Sequence, residues 1–155
     1  MELKTLIGEV ETAIRQMGLS AEEAQADENG QWILLKEEMP VYMDAWEDRE
    51  STPWNYFTFK QDPTVFQITI PFVFAPTIRK EDFLKELLVV NLNLLYGKFS
   101  YNEQDNATVI SYRVSGSSFN QANLPAIIDG LAYYAEMAYH VLKDEFGLKR
   151  IHEKK

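Results

Sequence analysis

The segment TVFQITIPFVF, residues 64–74, constrains the fold of this 155-residue chain more than any other segment. Its apolar and polar side chains alternate with a period of two, and Phe66, Ile68 and Ile70 fall on the apolar side. Because successive side chains of a strand point to opposite sides of a sheet, this pattern predicts a strand with one buried face and one wetter face. Pro71 has no N–H to donate, so we expect at least the end of this strand to lie at a sheet edge or a bulge.

Three other segments carry the 3.6-residue spacing of amphipathic helices. They span residues 3–17, 78–96 and about 121–146, and each is followed by a glycine: Gly18, Gly97 or Gly147. Glycine accepts the left-handed conformation in which many helices end. The second helix carries two adjacent leucine stripes, so we expect it to be buried against a sheet. The third helix is apolar nearly all round, which indicates burial on more than one side, with a second protomer as a candidate cover.

The other apolar segments predict further strands. Pro40 ends the first of them, and the next resumes as an edge strand. The last two form a hairpin in which the face with Phe99 and Tyr101 pairs with the face that carries Ile110 and Tyr112. Because strands and helices do not alternate strictly, the order α-β-β-β-α-β-β-α predicts an α+β fold, with a mostly antiparallel sheet of about five strands and three helices. The predicted strands besides 64–74 are residues 32–35, 41–46, 54–60, 98–102 and 108–114.

The chain length fits a single α+β domain, which we place at residues 1–147, followed by a charged C-terminal tail at 148–155. The chain has no cysteine, which excludes disulfides, thiolate zinc sites and a cysteine nucleophile. No apolar run reaches the roughly 20 residues of a membrane span. Glu2, Glu9 and Glu11 interrupt any apolar core of an N-terminal signal. We therefore expect a soluble, cytoplasmic protein that does not enter the membrane.

The formal net charge of −9 limits the choice of partners. Nucleic acid repels an acidic surface, because contacts to phosphate supply most of its nonspecific affinity. We therefore expect no nucleic-acid binding. An acidic surface favours solubility and suits a basic or aggregation-prone protein partner.

Catalytic and metal-binding motifs are weak in this chain. Glu136, His140 and Asp144 follow one another at i, i+4 and i+8 on the last predicted helix. The ends of that set lie about 12 Å apart along a straight helix, so the three side chains cannot bind one ion. A solvated face with ion pairs is the favoured interpretation. The G-x-S-x-G elbow and the glycine-rich phosphate loops are absent, and we expect no catalytic residue, metal or cofactor.

Aromatic side chains supply the strongest hint of a binding surface. Tyr and Trp are enriched at interaction hot spots, although they are equally common in the core and rim of a sheet. The first group also lies near carboxylates at Asp44, Glu47 and Asp48, so a small-molecule or enzyme pocket at residues 42–54 is an alternative. The predicted interaction surface consists of Tyr42, Trp46, Trp54 and Tyr56 near the first strands and Tyr133, Met137 and Tyr139 on the last helix.

Four segments, in this order, carry a resemblance to a known family. They are QMGLS at the end of the first helix, DENGQWILL, FQITIPFVF leading into RKEDFLKELLVVNLNLLYGKFSYN, and ATVISYRV before the final helix. The most specific part is NLNLLYGKFSYNEQDNATVISYRV, residues 91–114. In this order the chain resembles the YbjN-like family, whose members share the fold of type III secretion chaperones. The resemblance covers nearly the whole chain.

The resemblance implies a modest set of properties. Secretion chaperones of that fold are small acidic dimers without enzymatic activity, and they bind extended segments of client proteins. The YbjN-like relatives are associated with stress and regulatory roles, and the family has no catalytic motif to carry over.

Residues and resemblance together predict a non-enzymatic protein-interaction, chaperone-like or regulatory domain. We expect a homodimer that binds another, unidentified protein. The competing interpretations are a small-molecule-binding domain or enzyme with a pocket near Tyr42–Trp54, and a structural or regulatory subunit of an assembly.

Overall fold

In a computed structural model of the chain, residues 1–48 and 62–151 are described. The strands are β1 (Gln31–Lys36), β2 (Met39–Glu47), β3 (Thr64–Phe74), β4 (Lys98–Asn102) and β5 (Ala107–Ser115). The helices are α1 (Leu3–Gln16), the short α2 (Ala21–Ala24), α3 (Lys80–Asn91) and α4 (Leu124–Phe146), with 3-10 turns at Gly116–Ser118 and Gln121–Asn123. Within this part of the chain five strands form one antiparallel sheet in the order β1-β2-β3-β5-β4. The predicted α+β fold is confirmed.

Strand β3 shows the predicted alternation from Phe66 to Phe72, with Gln67, Thr69 and Pro71 half-buried between buried side chains. The alternation ends there, because Val73 is fully buried and Phe74 is 48% exposed. The strand has neighbours on both sides in the sheet, so the edge position predicted from Pro71 is wrong, whereas the bulge given as its alternative stays a prediction. Proline removes a single donor, and the residues after it still pair. Phe72 O accepts the N–H of Ile151 at 3.2 Å, and the N–H of Phe74 donates to Lys149 O at 3.4 Å.

Strand β2 corrects two further predictions. Pro40 is the second residue of β2, and the break before the strand is a turn at Glu37 and Glu38, with Glu37 at a φ of 60°. β2 lies between β1 and β3, so residues 41–46 are not an edge strand, and among the described strands β1 and β4 are the sheet edges instead. The strand predicted at 54–60 lies outside the described residues.

Residue contacts divide the chain into two compact units. The first comprises Met1–Leu34, Tyr42–Ile68 and Arg113–Ile127. Helix α1 contributes an apolar face to it, because its buried positions recur every three or four residues. Phe66 packs edge-on against Phe119 with ring centroids 4.7 Å apart. The fully buried large side chains of this unit are Leu6, Val10, Ile14, Trp32, Met43, Phe66, Ile68 and Leu124.

The second unit comprises Leu35–Val41, Thr69–Tyr112 and Ile128–Lys155. Phe83 of α3 packs against Phe146 of α4 with ring centroids 5.4 Å apart. The predicted hairpin forms from β4 and β5, with Phe99 opposite Ile110 and Tyr101 opposite Thr108. The core stripe predicted for α4 is buried at each of its positions in this unit: Ile128, Leu131, Ala135, Ala138 and Leu142.

The leucine stripes of α3 depart from prediction. Phe83 and Leu87 are buried as expected, but Leu88 is 65% exposed and Leu95, in the turn after the helix, is 90% exposed. Burial of both stripes within one chain was therefore a wrong prediction. A 12-residue helix that packs on a single layer buries only one of its two apolar stripes, so the other stripe faces solvent.

The first residues of the predicted charged tail are structured. Leu148 is buried, and Arg150 forms an isolated antiparallel bridge with Val73 of β3. The Arg150 guanidinium also makes two hydrogen bonds to the Glu136 carboxylate, at 2.5 and 2.8 Å. Residues 152–155 lie outside the described part of the chain. No helix of the described residues is long and apolar enough to cross a membrane.

Candidate interaction surfaces

The first candidate surface lies on β2 in the first unit. Val41, Met43 and Ala45 are buried, and the residues that alternate with them point to the opposite side of the sheet. Among these, Tyr42 is 39% exposed, and Ile33 of β1 is 42% exposed. We call this surface the β2 aromatic face and define it as Ile33, Tyr42, Asp44 and Trp46.

Trp46 is held in place by Arg113 of β5. The guanidinium carbon of Arg113 lies 5.1 Å from the centroid of the Trp46 ring, which is cation–π geometry. The Nε of Arg113 donates a hydrogen bond to Gln67 Oε1 at 2.7 Å, which fixes the guanidinium over the ring. One side of the indole is therefore already covered by a cation.

Asp44 lies between the two aromatic positions of β2. Its side chain is half-buried, and burial raises the pKa of its carboxyl. Within residues 1–48 and 62–151 it has no hydrogen bond or ion pair to another side chain. A carboxylate in that position is partly stripped of water without a compensating partner from the described chain.

The predicted residues of the last helix separate into two environments. Tyr133 and Met137, one turn apart on α4, are 61% and 45% exposed, and Val141 continues the row at 71%. We call these three the α4 stripe. Tyr139 lies elsewhere on the helix, half-buried with the guanidinium carbon of Arg150 only 3.9 Å from its ring centroid. The other two predicted residues, Trp54 and Tyr56, lie outside the described residues.

A third surface was missed from the sequence. Leu88, Leu92 and Leu95 recur at i, i+4 and i+7, and they are 65%, 84% and 90% exposed. We call this row the α3 leucine stripe. Its spacing was visible in the sequence, but spacing alone does not distinguish a stripe that packs on the sheet from one that faces outward.

The polar side chains of α4 form ion pairs. Glu136 forms an ion pair with Arg150, and its carboxylate also lies 3.2 Å from His140 Nε2, so two of the three metal candidates contact each other. Two open grooves occur elsewhere. One of about 500 Å³ lies between the β1–β2 turn and α4, and one of about 590 Å³ lies beside Ser117 and Asn120. Neither of these two grooves is lined by Tyr42 or Trp46. Residues 49–54 of the pocket alternative lie outside the described residues, so that alternative stays a prediction.

Comparisons with known proteins identify the fold. No protein-family model matches the chain, and no curated protein matches it in sequence. Solved structures match over most of their length. The ExsC–ExsE complex matches with a TM-score of 0.61 and 13% identity, over 90% of this chain and 94% of the other. The HopA1–SchA chaperone–effector complex matches with a TM-score of 0.61 and 11% identity, over 88% and 95%.

A third structure is the Yersinia pestis type III secretion chaperone SycH in complex with a fragment of YscM2. It matches with a TM-score of 0.56 and 12% identity, over 85% of this chain and 98% of the other. The chain therefore has the fold of type III secretion chaperones, as the resemblance implied. At these identities the likeness shows the fold alone.

Proposed function

We propose that this protein is a non-enzymatic, chaperone-like protein that binds an extended segment of another protein. The observation that carries the proposal is the β2 aromatic face, where Ile33 and Tyr42 are exposed on a sheet beside Trp46. The fold supports it, since the similar structures are chaperones that were solved with protein partners. The partner of this chain is unidentified.

Binding would bury the apolar side chains of the β2 aromatic face. Tyr and Trp each bury about 150–250 Å² and lose little conformational entropy, so they suit the centre of an interface. At roughly 25 cal/mol per Å² of apolar surface, two such side chains can supply several kcal/mol before the costs of association. The net charge of −9 would steer a basic partner toward the protein.

We also propose that the protein is a homodimer and that the second unit supplies the interface. Leu88 lies on α3, Leu92 directly follows the helix and Leu95 lies in the turn after it, and all three apolar side chains are largely exposed. The α4 stripe adds a second exposed apolar row in the same unit. Monomeric proteins rarely leave apolar patches of more than a few hundred Å² exposed, which favours a second copy as the cover.

The finer assignment to the YbjN-like family is part of the same proposal. It rests on the order of elements and on residues 91–114, which form the end of α3 and the β4–β5 hairpin. A cytoplasmic location fits a chain without cysteine.

Affinity capture from the native cell at low salt tests partner binding. We expect the wild-type protein to retain a stoichiometric partner. The double variant Tyr42→Ala/Trp46→Ala should lose it, because hot-spot truncations cost about 2 kcal/mol or more each. Phe74→Ala is the matched control, since Phe74 is a 48% exposed aromatic side chain of the second unit that belongs to none of the three named surfaces. Equal capture by the wild type and the double variant would contradict the β2 aromatic face as the binding surface.

Sedimentation velocity over a range of concentrations tests the dimer. We expect wild-type dimers, and monomers for Leu92→Glu, because a charge placed in an apolar interface is costly to desolvate. Ile78→Glu is the control, since Ile78 is 79% exposed in the same unit but does not belong to the α3 leucine stripe. A wild-type monomer at all concentrations, or a dimeric Leu92→Glu variant, would show that the stripe is not the interface.

A further inference from the structure

We infer that Asp44 recognises a cationic side chain, an arginine, in the protein segment that binds the β2 aromatic face. The inference rests on the proposed function and adds to it the chemistry of the partner. Asp44 is assigned this role because of its surroundings in the first unit.

The placement of Asp44 on the strand supplies the geometry. Tyr42, Asp44 and Trp46 alternate along β2 with buried residues, so their side chains project from the same side of the sheet. Successive members of such a row lie roughly 6.5–7 Å apart. The carboxylate therefore sits between two aromatic side chains at a spacing that one long cationic side chain can bridge.

The surroundings of Asp44 favour a cation over other ligands. The carboxylate is half-buried and has no partner among the described residues, so an incoming cation would meet a charge that is poorly solvated. A charge-assisted hydrogen bond to such a group is stronger than one to a fully solvated carboxylate. An anionic ligand would be repelled by this carboxylate and by the protein's net charge of −9.

Arginine fits better than lysine because the flanking groups are aromatic. A planar guanidinium can stack on a ring while it donates two hydrogen bonds to one carboxylate. The guanidinium carbon of Arg113 already lies 5.1 Å from the centroid of the Trp46 ring, which shows that this indole accepts a guanidinium on one side. Arg113 itself is engaged with Gln67 through its Nε, so it does not supply the counter-charge of Asp44.

Two synthetic peptides test the inference by NMR titration of the ¹⁵N-labelled protein. Both are short and extended, with alternating valine and serine. One has a central arginine, and the other has citrulline, which has the same shape without the charge. We expect the arginine peptide to shift the amides of residues 42–46 and to bind about tenfold tighter than the citrulline peptide, a ratio that corresponds to 1.4 kcal/mol. Asp44→Asn should reduce that ratio to about one while leaving the fold intact, since the two side chains have the same shape.

Asp144→Asn is the matched control for general electrostatics. It removes the same charge from an exposed position on α4 and should keep the preference for arginine. Equal binding of both peptides by the wild type overturns the inference. So does a preference that survives Asp44→Asn, or one that Asp144→Asn removes to the same extent.

The role of Asp44 and the proposed partner binding can fail independently of each other. Capture of a native partner that is lost in Tyr42→Ala/Trp46→Ala but undiminished in Asp44→Asn would support the proposed function and overturn the role of Asp44. A wild-type protein that captures no partner would overturn the proposed function, whereas an Asp44-dependent preference for the arginine peptide would still support the role of Asp44.

Discussion

The side-chain amide of Asn91 on α3 holds the backbone of Phe99 on β4 through two hydrogen bonds. The N–H of Phe99 donates to Asn91 Oδ1 at 2.7 Å, and Asn91 Nδ2 donates to the Phe99 carbonyl at 3.0 Å. β4 is an edge of the sheet, and these are the two backbone groups with which another strand could pair there. Asn91 therefore occupies the edge at Phe99 as a paired strand would.

Removing this amide should destabilise the second unit. We expect Asn91→Ala to lower the free energy of unfolding by about 1–3 kcal/mol, because two partly buried backbone groups lose their partner. Urea denaturation measures the loss, and hydrogen exchange at Phe99 should speed up. Asn93→Ala is the control, since Asn93 Nδ2 makes only one exposed hydrogen bond, to Val89 O at 3.2 Å. Equal losses of unfolding free energy in the two variants would show that the two hydrogen bonds between Asn91 and Phe99 make no specific contribution to stability.

The Asp62 carboxylate should stabilise the first unit, and this contribution should be lost in acid. It is only 7% exposed, and it accepts hydrogen bonds from the Ser117 N–H at 2.7 Å and from the N–H and hydroxyl of Thr64. Burial acts to raise the pKa of this carboxyl, but the hydrogen bonds from Thr64 and Ser117 outweigh it and hold the pKa well below its ordinary value of 3.8. The folded protein therefore binds this proton less readily than the unfolded chain does.

The weaker proton binding by Asp62 in the folded protein sets the direction in which stability changes with pH. The stabilisation from Asp62 is fully present above pH 3.8 and is lost as the pH falls below it. We expect Asp62→Asn to cost about 1–3 kcal/mol at neutral pH, with a difference from wild type that shrinks in acid. Urea unfolding across a pH series measures both. Asp105→Asn, at an exposed turn, serves as control. A difference between wild type and Asp62→Asn that stays constant down to the most acidic pH would contradict the assignment.

The contribution of Asp44 to folding stability should depend on pH in the opposite direction. Burial raises the pKa of its carboxyl, so the folded protein binds this proton more readily than the unfolded chain does. Stability therefore falls as the pH rises through this pKa, and the penalty is fully present at neutral pH. We expect Asp44→Asn to raise the melting temperature at neutral pH and to leave it unchanged in strong acid. A lower melting temperature at neutral pH would mean that the charged carboxylate stabilises the fold.

Two glycines with positive φ form a matched pair of substitutions. Gly97 has a φ of 76°, and a Cβ added there would lie 2.7 Å from Leu131 Cδ2 and 3.1 Å from Ser111 O. Gly147 has a φ of 61° with no atom near the added Cβ. We expect Gly147→Ala to cost about 1–2 kcal/mol from backbone strain alone. Gly97→Ala should cost roughly 1–3 kcal/mol more, because the core side chain must move. Equal melting temperatures of the two variants would show that Leu131 moves aside freely.

Local patterns in the sequence predicted most of the elements. The alternation of residues 64–74 identified β3, and Gly18 and Gly147 marked the ends of α1 and α4. The prediction that Gly97 ends the second helix is wrong, because α3 ends at Asn91. The β4–β5 hairpin also followed from the sequence, because two short strands flank a polar turn, whereas the opposition of Phe99 and Ile110 came from the structure. These features depend on neighbours within a few residues of each other, so they can be recognised without the rest of the chain.

The candidate surfaces were predicted less well. Tyr42, Tyr133 and Met137 were chosen for their residue type, and the structure places all three partly exposed. The α3 leucine stripe was assigned to the core, since a leucine row has the same spacing whichever way it faces. Asn91 and Asp62 were not singled out, because their importance comes from backbone groups of Phe99 and Ser117, 8 and 55 residues away in the chain.

The sequence by itself determined which segments are helix or strand, the α+β class and the acidic charge, because propensity, periodicity and composition are properties of short segments. Only the tertiary structure decided that β3 runs inside the sheet, that residues 148–151 reach Phe72 and Phe74, and which leucines of α3 remain exposed. Those outcomes depend on which distant segments pair and on how much apolar surface one layer can cover. Both are set by packing of the whole chain rather than by any local pattern.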